Sequence, residues 1–477
     1  MKTLSRNLFL QTTLTAILIS LLAGQVSAQT FTTLHTFSAG APDPSLPLSA
    51  PTNSDGSSAY AGLLLSGNTL YGTTSSGGPN GSGTIFAVNT DGTGFRLVHT
   101  FSFYDANNTD GAFPVGGLLL SGNTLYGTAS EGGFYDNGKS GNGGQFGTVF
   151  AVNTNGTDFT VLHHFDTNND GSIPCGNLIF SGNTLYGTTR YSTNGSGTVF
   201  AVNTDGNGFT IVHRFSNLSS GINSDGAQPF AELILSSNTL YGTTAYGGTN
   251  KYGTVFAVNT DGTGFNVLHT FDGTDDGGES QSGLILSGNT LYGTTPGTVF
   301  AVNTDGTGFT NLCFFYGGGT DAGLILSGKT LYGTLFGGGL HGYGTVFAIN
   351  TDGTSFTTLF DFYGRGIDGI YGPYAGLILS GSTLYGTTLA GGTNGNGGVF
   401  SLAFPSPQLA INQSGTNVDL TWSSVVDGFY GGLTLQSTTD LVSPVWTAVS
   451  PIPVVISGQD VVTNAITGPQ QFYRLSQ

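Results

Sequence analysis

The chain is short of charge, of cysteine and of long apolar runs, and each shortage removes a class of protein. Charged residues are 8% of its 477 positions, with 10 Lys plus Arg against 27 Asp plus Glu. So little basic surface argues against nucleic-acid binding, and no nucleic-acid partner is expected. The two cysteines, Cys175 and Cys313, fall at non-equivalent places and are not expected to reach each other. No disulfide framework is therefore available, and stability must come from packing. One long apolar run exists, near the N-terminus, and no segment keeps an uninterrupted helical period. Enzyme signatures are missing too: no Gly-x-Ser-x-Gly elbow, no His-Glu-x-x-His, no cysteine metal pair and no phosphate loop.

What is plentiful is glycine, 80 residues, and one recurring phrase. It reads AGLILSGNTLYGTT, a glycine-rich gap, GTVFAVNTDGTGF and VLHTF. Its tyrosines are Tyr71, Tyr126, Tyr186, Tyr241, Tyr292, Tyr332 and Tyr385, spaced by 55, 60, 55, 51, 40 and 53 residues. Such periods indicate solenoids, propellers or arrays. Each unit holds four short β segments, here called a to d. Around Tyr241 they are expected at Leu233 to Leu235, Thr239 to Thr243, Thr254 to Asn259 and Phe265 to Phe271. Ser-Gly-Asn and Asp-Gly links between them suit antiparallel hairpins, because they tolerate positive φ. A four-stranded antiparallel unit of this length is a propeller blade. Phe31 to Phe37 reads as a d strand with nothing before it, and Ala375 to Leu402 as a, b and c with no d after them. The prediction is an all-β, seven-bladed β-propeller closed by the N-terminal outer strand (31–37), which completes the last blade. Closure would also remove two unpaired sheet edges.

Residues 1–28 read as a secretory signal peptide: Lys2 and Arg6, an apolar run, then Val26-Ser27-Ala28. Its removal would take the formal charge from −17 to −19 and leave a secreted chain that does not span a membrane. Residues 29–404 are assigned to the propeller and 405–477 to a small β-sandwich, with both tryptophans, Trp422 and Trp446, in the latter. The chain is expected to be a monomer.

The repeat resembles the bacterial GloVer (Gloeo_Verruco) tandem repeat over roughly Phe31 to Phe404. That likeness implies an exported or surface-attached protein and carries no catalytic residue. The unit also faintly resembles kelch blades, with Tyr then Gly in b, but has Thr where kelch has its second Gly. In the tail, Leu420-Thr421-Trp422, Leu435-Gln436-Ser437-Thr438 and Phe472-Tyr473-Arg474-Leu475 resemble fibronectin-III-like C-terminal modules of secreted bacterial proteins.

Blade geometry sorts the candidate site residues. In a propeller, a is innermost and d outermost, and the d–a and b–c loops share one face. His35, His99, His163, His213 and His269 hold one position in d, so they lie one per outer strand and are expected to pack rather than to gather round a metal. An aspartate precedes each a strand: Asp55, Asp110, Asp170, Asp225, Asp276, Asp321 and Asp368. These are either turn residues or a carboxylate ring at one mouth of the channel. Asp166, Asn168 and Asp170 form the first half of a calcium loop, without the Glu at its twelfth position, so Ca²⁺ is the one cofactor considered. Just before the first a-strand leucine, five repeats have Gly, while the third and fourth have Asn177 and Glu232. Arg190, and Tyr135 in the long second b–c loop, fall on the same face, whereas the fifth b–c loop is almost absent. Departures from a scaffold repeat are where a site can be grafted. Asn177, Glu232, Arg190 and Tyr135 are therefore the ligand-binding candidates. The function expected is recognition of an extracellular glycan or protein; the alternatives are a polysaccharide-acting lyase or hydrolase and a structural envelope protein.

Overall fold

The computed structural model describes every residue except 1–28, 41–50, 105–107, 134–145, 167–169, 193–195, 316–317, 321, 365–368, 406–407, 424–432, 457–458, 466–469 and 477. The expected signal peptide, Tyr135, Asn168, Asp321 and Asp368 thus lie outside the described residues. Among the described residues the fold is all-β, and no helix is long and apolar enough to cross a membrane. Residues Phe31–Leu402 form one compact unit, and Ala403–Gln477 belong to a second.

In the first unit each Leu-Tyr-Gly-Thr phrase is the second strand of an antiparallel sheet whose main strands pair in sequence order, giving a propeller-like stack. The fourth repeat has strands Ile234–Ser236, Thr239–Thr244, Thr254–Asn259 and Asn266–Thr270, within a residue or so of expectation. The c–d turn is fixed by its own side chain: Asp91 Oδ1 accepts hydrogen bonds from Thr93 N at 2.9 Å and Thr93 Oγ1 at 2.6 Å. The third sheet gains a strand, Ser172–Pro174, on the extended end of Thr184–Tyr191.

Adjacent residues of strand b serve opposite faces. Tyr71 packs in one cluster with Leu118, Leu125 and Phe150 of the second repeat, while Leu70 packs in another with Tyr385 and Val399 of the last. The same Tyr-to-next, Leu-to-previous scheme joins repeats two to three, three to four, four to five and five to six. The recurring glycine of the phrase could admit either a neighbouring backbone or a large side chain. It admits an aromatic ring: Gly72 pairs with Phe86, and a Cβ on Gly72 would sit 2.5 Å from the Phe86 ring. The threonine after that glycine has a separate task. Thr73, Thr188, Thr243, Thr294 and Thr334 each donate to a main-chain carbonyl at the start of the next repeat, at 3.0 to 3.2 Å. Thr387 of the last repeat shares its one hydroxyl proton between Ala59 O at 3.2 Å and Ala61 O at 3.1 Å of the first. Each such bond contributes about 1 kcal/mol and fixes spacing between sheets.

The N-terminal strand, Thr30–Thr36, is the outer member of the last repeat's sheet, beside Gly398–Ala403. Phe37 N donates to Gly397 O at 3.1 Å, and the Phe37 ring is fully buried with Leu63, Leu70 and Phe86.

The second unit has two sheets. One contains Ala410–Ser414, Asn417–Ser423, Gln459–Ala465 and Val454–Ile456; the other contains Thr447–Ala448, Thr434–Thr438 and Phe472–Ser476. Leu420, Trp422, Leu433, Leu435 and Val462 form their common core. Gln459–Ala465 shows no clean alternation in sequence, because its inward face sets Asp460 and Asn464 beside Val462, and Asp460 is buried.

Candidate ligand site at the repeat axis

The residue before the first a-strand leucine lines a single cavity of about 560 Å³. Gly62, Asn177, Glu232, Gly283, Gly323 and Gly376 contribute to it from six repeats, and Val115 and Leu118 from the second. The two departures from glycine meet. Asn177 Nδ2 donates to Glu232 Oε2 at 2.6 Å, and Asn177 Oδ1 accepts from Gly117 N. This bond to a backbone donor sets the orientation of the amide, so its NH₂ must face the carboxylate.

The neighbouring glycines make room for both side chains. A Cβ on Gly117 would lie 2.8 Å from Asn177 Oδ1, and one on Gly283 would lie 2.4 Å from Glu232 Cγ. Each polar side chain therefore lies over the glycine of an adjacent repeat. Burial pushes the Glu232 carboxyl above the usual carboxylate range, and the Asn177 hydrogen bond opposes this only in part. Glu232 is only half-buried by surface area, because it faces the cavity, yet it lies deep enough to be poorly solvated.

Arg190, near the end of Thr184–Tyr191, is not among the residues that line this cavity. Its Nε donates to Gln228 Oε1 at 3.1 Å, and its guanidinium lies 5.3 Å from the Phe230 ring, which does line the cavity. Across the mouth, Tyr60 and Tyr374 meet edge to face at 5.5 Å, and Tyr374 meets Phe336 at 5.3 Å. Sequence reasoning missed Tyr60, Tyr374 and Phe230. All three lie in d–a segments, outside the repeat phrase, and only their shared position ahead of strand a could have flagged them. Cys175 also lines the cavity, but burial pushes its thiol up to about 12, so it is an inert apolar wall.

The histidines pack on the rim, as expected. His35, His99, His163, His213 and His269 stack on Phe95, Phe159, Phe209, Phe265 and Phe309 of the following repeat, at centroid distances of 3.6 to 3.8 Å. The same histidines hold the d–a aspartates. Asp55, Asp110, Asp170, Asp225 and Asp276 lie 2.7 to 3.4 Å from their own repeat's histidine. The described aspartates are thus staples at the outer strands and do not form a ring at the channel mouth. The cause is local: each carboxylate also accepts from a nearby backbone N, such as Ser38 or Ser216. Asp170 Oδ2 bonds His163 and its Oδ1 accepts from Asp166 N, so a calcium ion there would have to displace both.

Residues 139–297 match the Gloeobacter/Verrucomicrobia repeat family. This is the repeat the phrase resembles, matched over its second to fifth copies. No curated protein matches the chain. Among solved structures, the extracellular domain of a hybrid two-component system from B. thetaiotaomicron is similar, with a TM-score of 0.50 and 11% identity. That likeness covers 83% of this chain and 46% of the longer one, and at this identity it concerns the fold alone. An oligogalacturonate lyase in complex with manganese is 9% identical over 79% of this chain and 97% of its own, with a TM-score of 0.46. A likeness at that level speaks neither to activity nor to ligand.

Proposed function

We propose that the chain is an exported or cell-surface recognition protein: a closed seven-bladed β-propeller followed by a β-sandwich. It binds an extracellular glycan or protein through its loop-rich face, with the axial cavity as the anchor point. One observation carries this reading. Five repeats keep glycine at the axis, and the two that do not supply Asn177 and Glu232, hydrogen-bonded to each other at 2.6 Å inside a cavity of about 560 Å³. A scaffold position that bears polar groups only where they meet suits orientation of a ligand's hydroxyl or amide. Closure is supported by Thr387 reaching Ala59 and Ala61, and by the core shared between the first and last repeats.

Binding is favoured over hydrolysis. Glycoside hydrolysis needs a pair of carboxyl groups, and among the described lining residues Glu232 is the one carboxylate. The test is a glycan array probed with the purified chain, followed by product analysis on any hit. A hit lost in Glu232→Ala with no turnover supports recognition. Depolymerisation lost in the same variant makes it an enzyme. No ligand for wild type, with folding unchanged after Glu232→Ala, leaves a structural protein.

A further inference from the structure

The fifth repeat breaks the pattern in a second place. Its b and c strands, Thr290–Thr295 and Thr298–Asn303, are joined by Pro296 and Gly297 alone. In four other repeats the longer b–c loop reaches the end of the outer strand. A Cβ on Gly133, Gly248, Gly339 or Gly392 would contact His164, Thr270, Asp361 or Thr36, respectively. The residue at this position in the fifth repeat is Phe314. With no loop over it, Phe314 is 49% exposed at one wall of a groove of about 360 Å³. Tyr252 of the fourth repeat lines the same groove at 38% exposure, its ring lying against the backbone of Gly273.

Glu279 lines the same groove. Its backbone N donates to Tyr252 O at 2.8 Å, and its φ is 56°. That φ belongs to the repeat: Ser58, Phe113, Ile173 and Gln228, at the equivalent place after the d–a aspartate, have φ between 55° and 58°, so what is particular to the fifth repeat is the carboxylate and not the backbone. Asp272 and Asp276 belong to the same segment and are held by its turn.

We infer that this groove is a subsite for a pyranose ring of a neutral polysaccharide, separate from the axial cavity. An aromatic face carries the negative lobe of the ring quadrupole, which complements the C–H face of a sugar. Stacking there also removes apolar surface from water. The Glu279 carboxylate accepts the sugar's hydroxyl protons in charge-assisted bonds. Uronic acids are disfavoured, because Glu279, Asp272 and Asp276 already make the locality negative. A basic peptide is the weaker fit, because an ion pair to exposed carboxylates is screened by salt, whereas the two aromatic faces are not.

The test is affinity electrophoresis of the full chain through gels containing glucomannan, xyloglucan or polygalacturonate, at 50 and 500 mM salt (roughly threefold different Debye lengths). The expected result is retardation by a neutral polysaccharide at both salts and none by polygalacturonate. Phe314→Ala and Tyr252→Ala should each weaken it about fivefold or more, since each removes one apolar stacking face. A second variant guards against a folding defect: the fourth repeat's loop, residues 245–253, replaces Pro296-Gly297 and refills the groove, and should abolish retardation. The inference is overturned if no neutral polysaccharide retards the chain, or if Phe314→Ala and the loop graft both bind fully. It is overturned equally if binding is to poly-lysine and vanishes at 500 mM salt.

Discussion

Phe37→Ala separates a closed ring from an open stack. Phe37 is fully buried, packed against Leu63, Leu70 and Phe86 of the first repeat and in edge contact with the Phe86 ring at 5.5 Å. Phe215, at the same position in the third repeat, is also fully buried and meets Phe256 at 5.2 Å. Equal burial implies equal cost, about 3–5 kcal/mol for Phe→Ala in a core. Unfolding entropy of about 2.1 cal/mol/K per residue, over the 372 residues of Phe31–Leu402, turns 4 kcal/mol into a Tm loss of about 5 °C. Phe37→Ala and Phe215→Ala should therefore lower Tm by the same amount. The assay must be calorimetry or tyrosine near-ultraviolet circular dichroism. Both tryptophans, Trp422 and Trp446, lie in the second unit and would report on the wrong domain. If Phe37→Ala leaves Tm unchanged while Phe215→Ala lowers it, the N-terminal strand is not part of the ring and closure is wrong.

Three further outcomes follow from the same contacts. Thr387→Val keeps the shape and removes the one hydroxyl proton that Ala59 O and Ala61 O share across the junction of last and first repeats; it should cost about 1–3 kcal/mol, read from the urea midpoint. Burial pushes Asp55 and Asp225 up, but bonds to His35 and Ser38, and to His213 and Ser216, outweigh it and leave both below the ordinary value. A lowered folded pKa gives stability that is present above the unfolded pKa, about 3.9, and lost as pH falls through the folded one. Ser216→Ala should accordingly lower Tm at pH 6 and have less effect near pH 2. Glu232, with its pKa raised by burial, has the opposite sign: its contribution is present below the unfolded pKa, about 4.3, and lost as pH rises through the folded one. Glu232→Gln should therefore raise Tm more at pH 8 than at pH 4.

The repeat made most of the fold legible, because its phrase encodes the packing twice over. Alternation in Leu70-Tyr71 reports two buried faces, and Phe86 opposite Gly72 reports a ring that needs a partner without a side chain. The orphan strand at 31–37 could be placed because the last repeat lacked its outer member. What could not be read were contacts between repeats. Thr73 looks like any β-branched strand residue, and only the position of Gly116 O shows that it joins two sheets. Of the two readings of the aspartates, the turn residue is the one the described ones fit, since each accepts from a nearby backbone N. What their alignment did not reveal was the partner: each described one is also held by the histidine of the outer strand before it, and that pairing is a property of the d–a turn. Strand Gln459–Ala465 was hidden because four of its seven residues are polar.

In the candidate site the useful signal was asymmetry. The position before each a strand is constrained by its neighbours, since any side chain at Gly283 must share space with position 232, and any at Gly117 with position 177. A polar residue at the axis is therefore tolerated only beside a glycine, and two adjacent repeats can both carry one only if the pair bond each other. Asn177 and Glu232 satisfy that condition: the amide donates, the carboxylate accepts, and the outer flank of each is a glycine. Random drift at either position alone would leave an unpaired polar group in a confined cavity, a cost of about 1–3 kcal/mol. The single variants Asn177→Gly and Glu232→Gly should each destabilise more than the double variant does, measured as urea midpoints in a double-mutant cycle. If the double variant is the least stable of the three, the pair is an independent set of two residues and the axial site loses its physical basis.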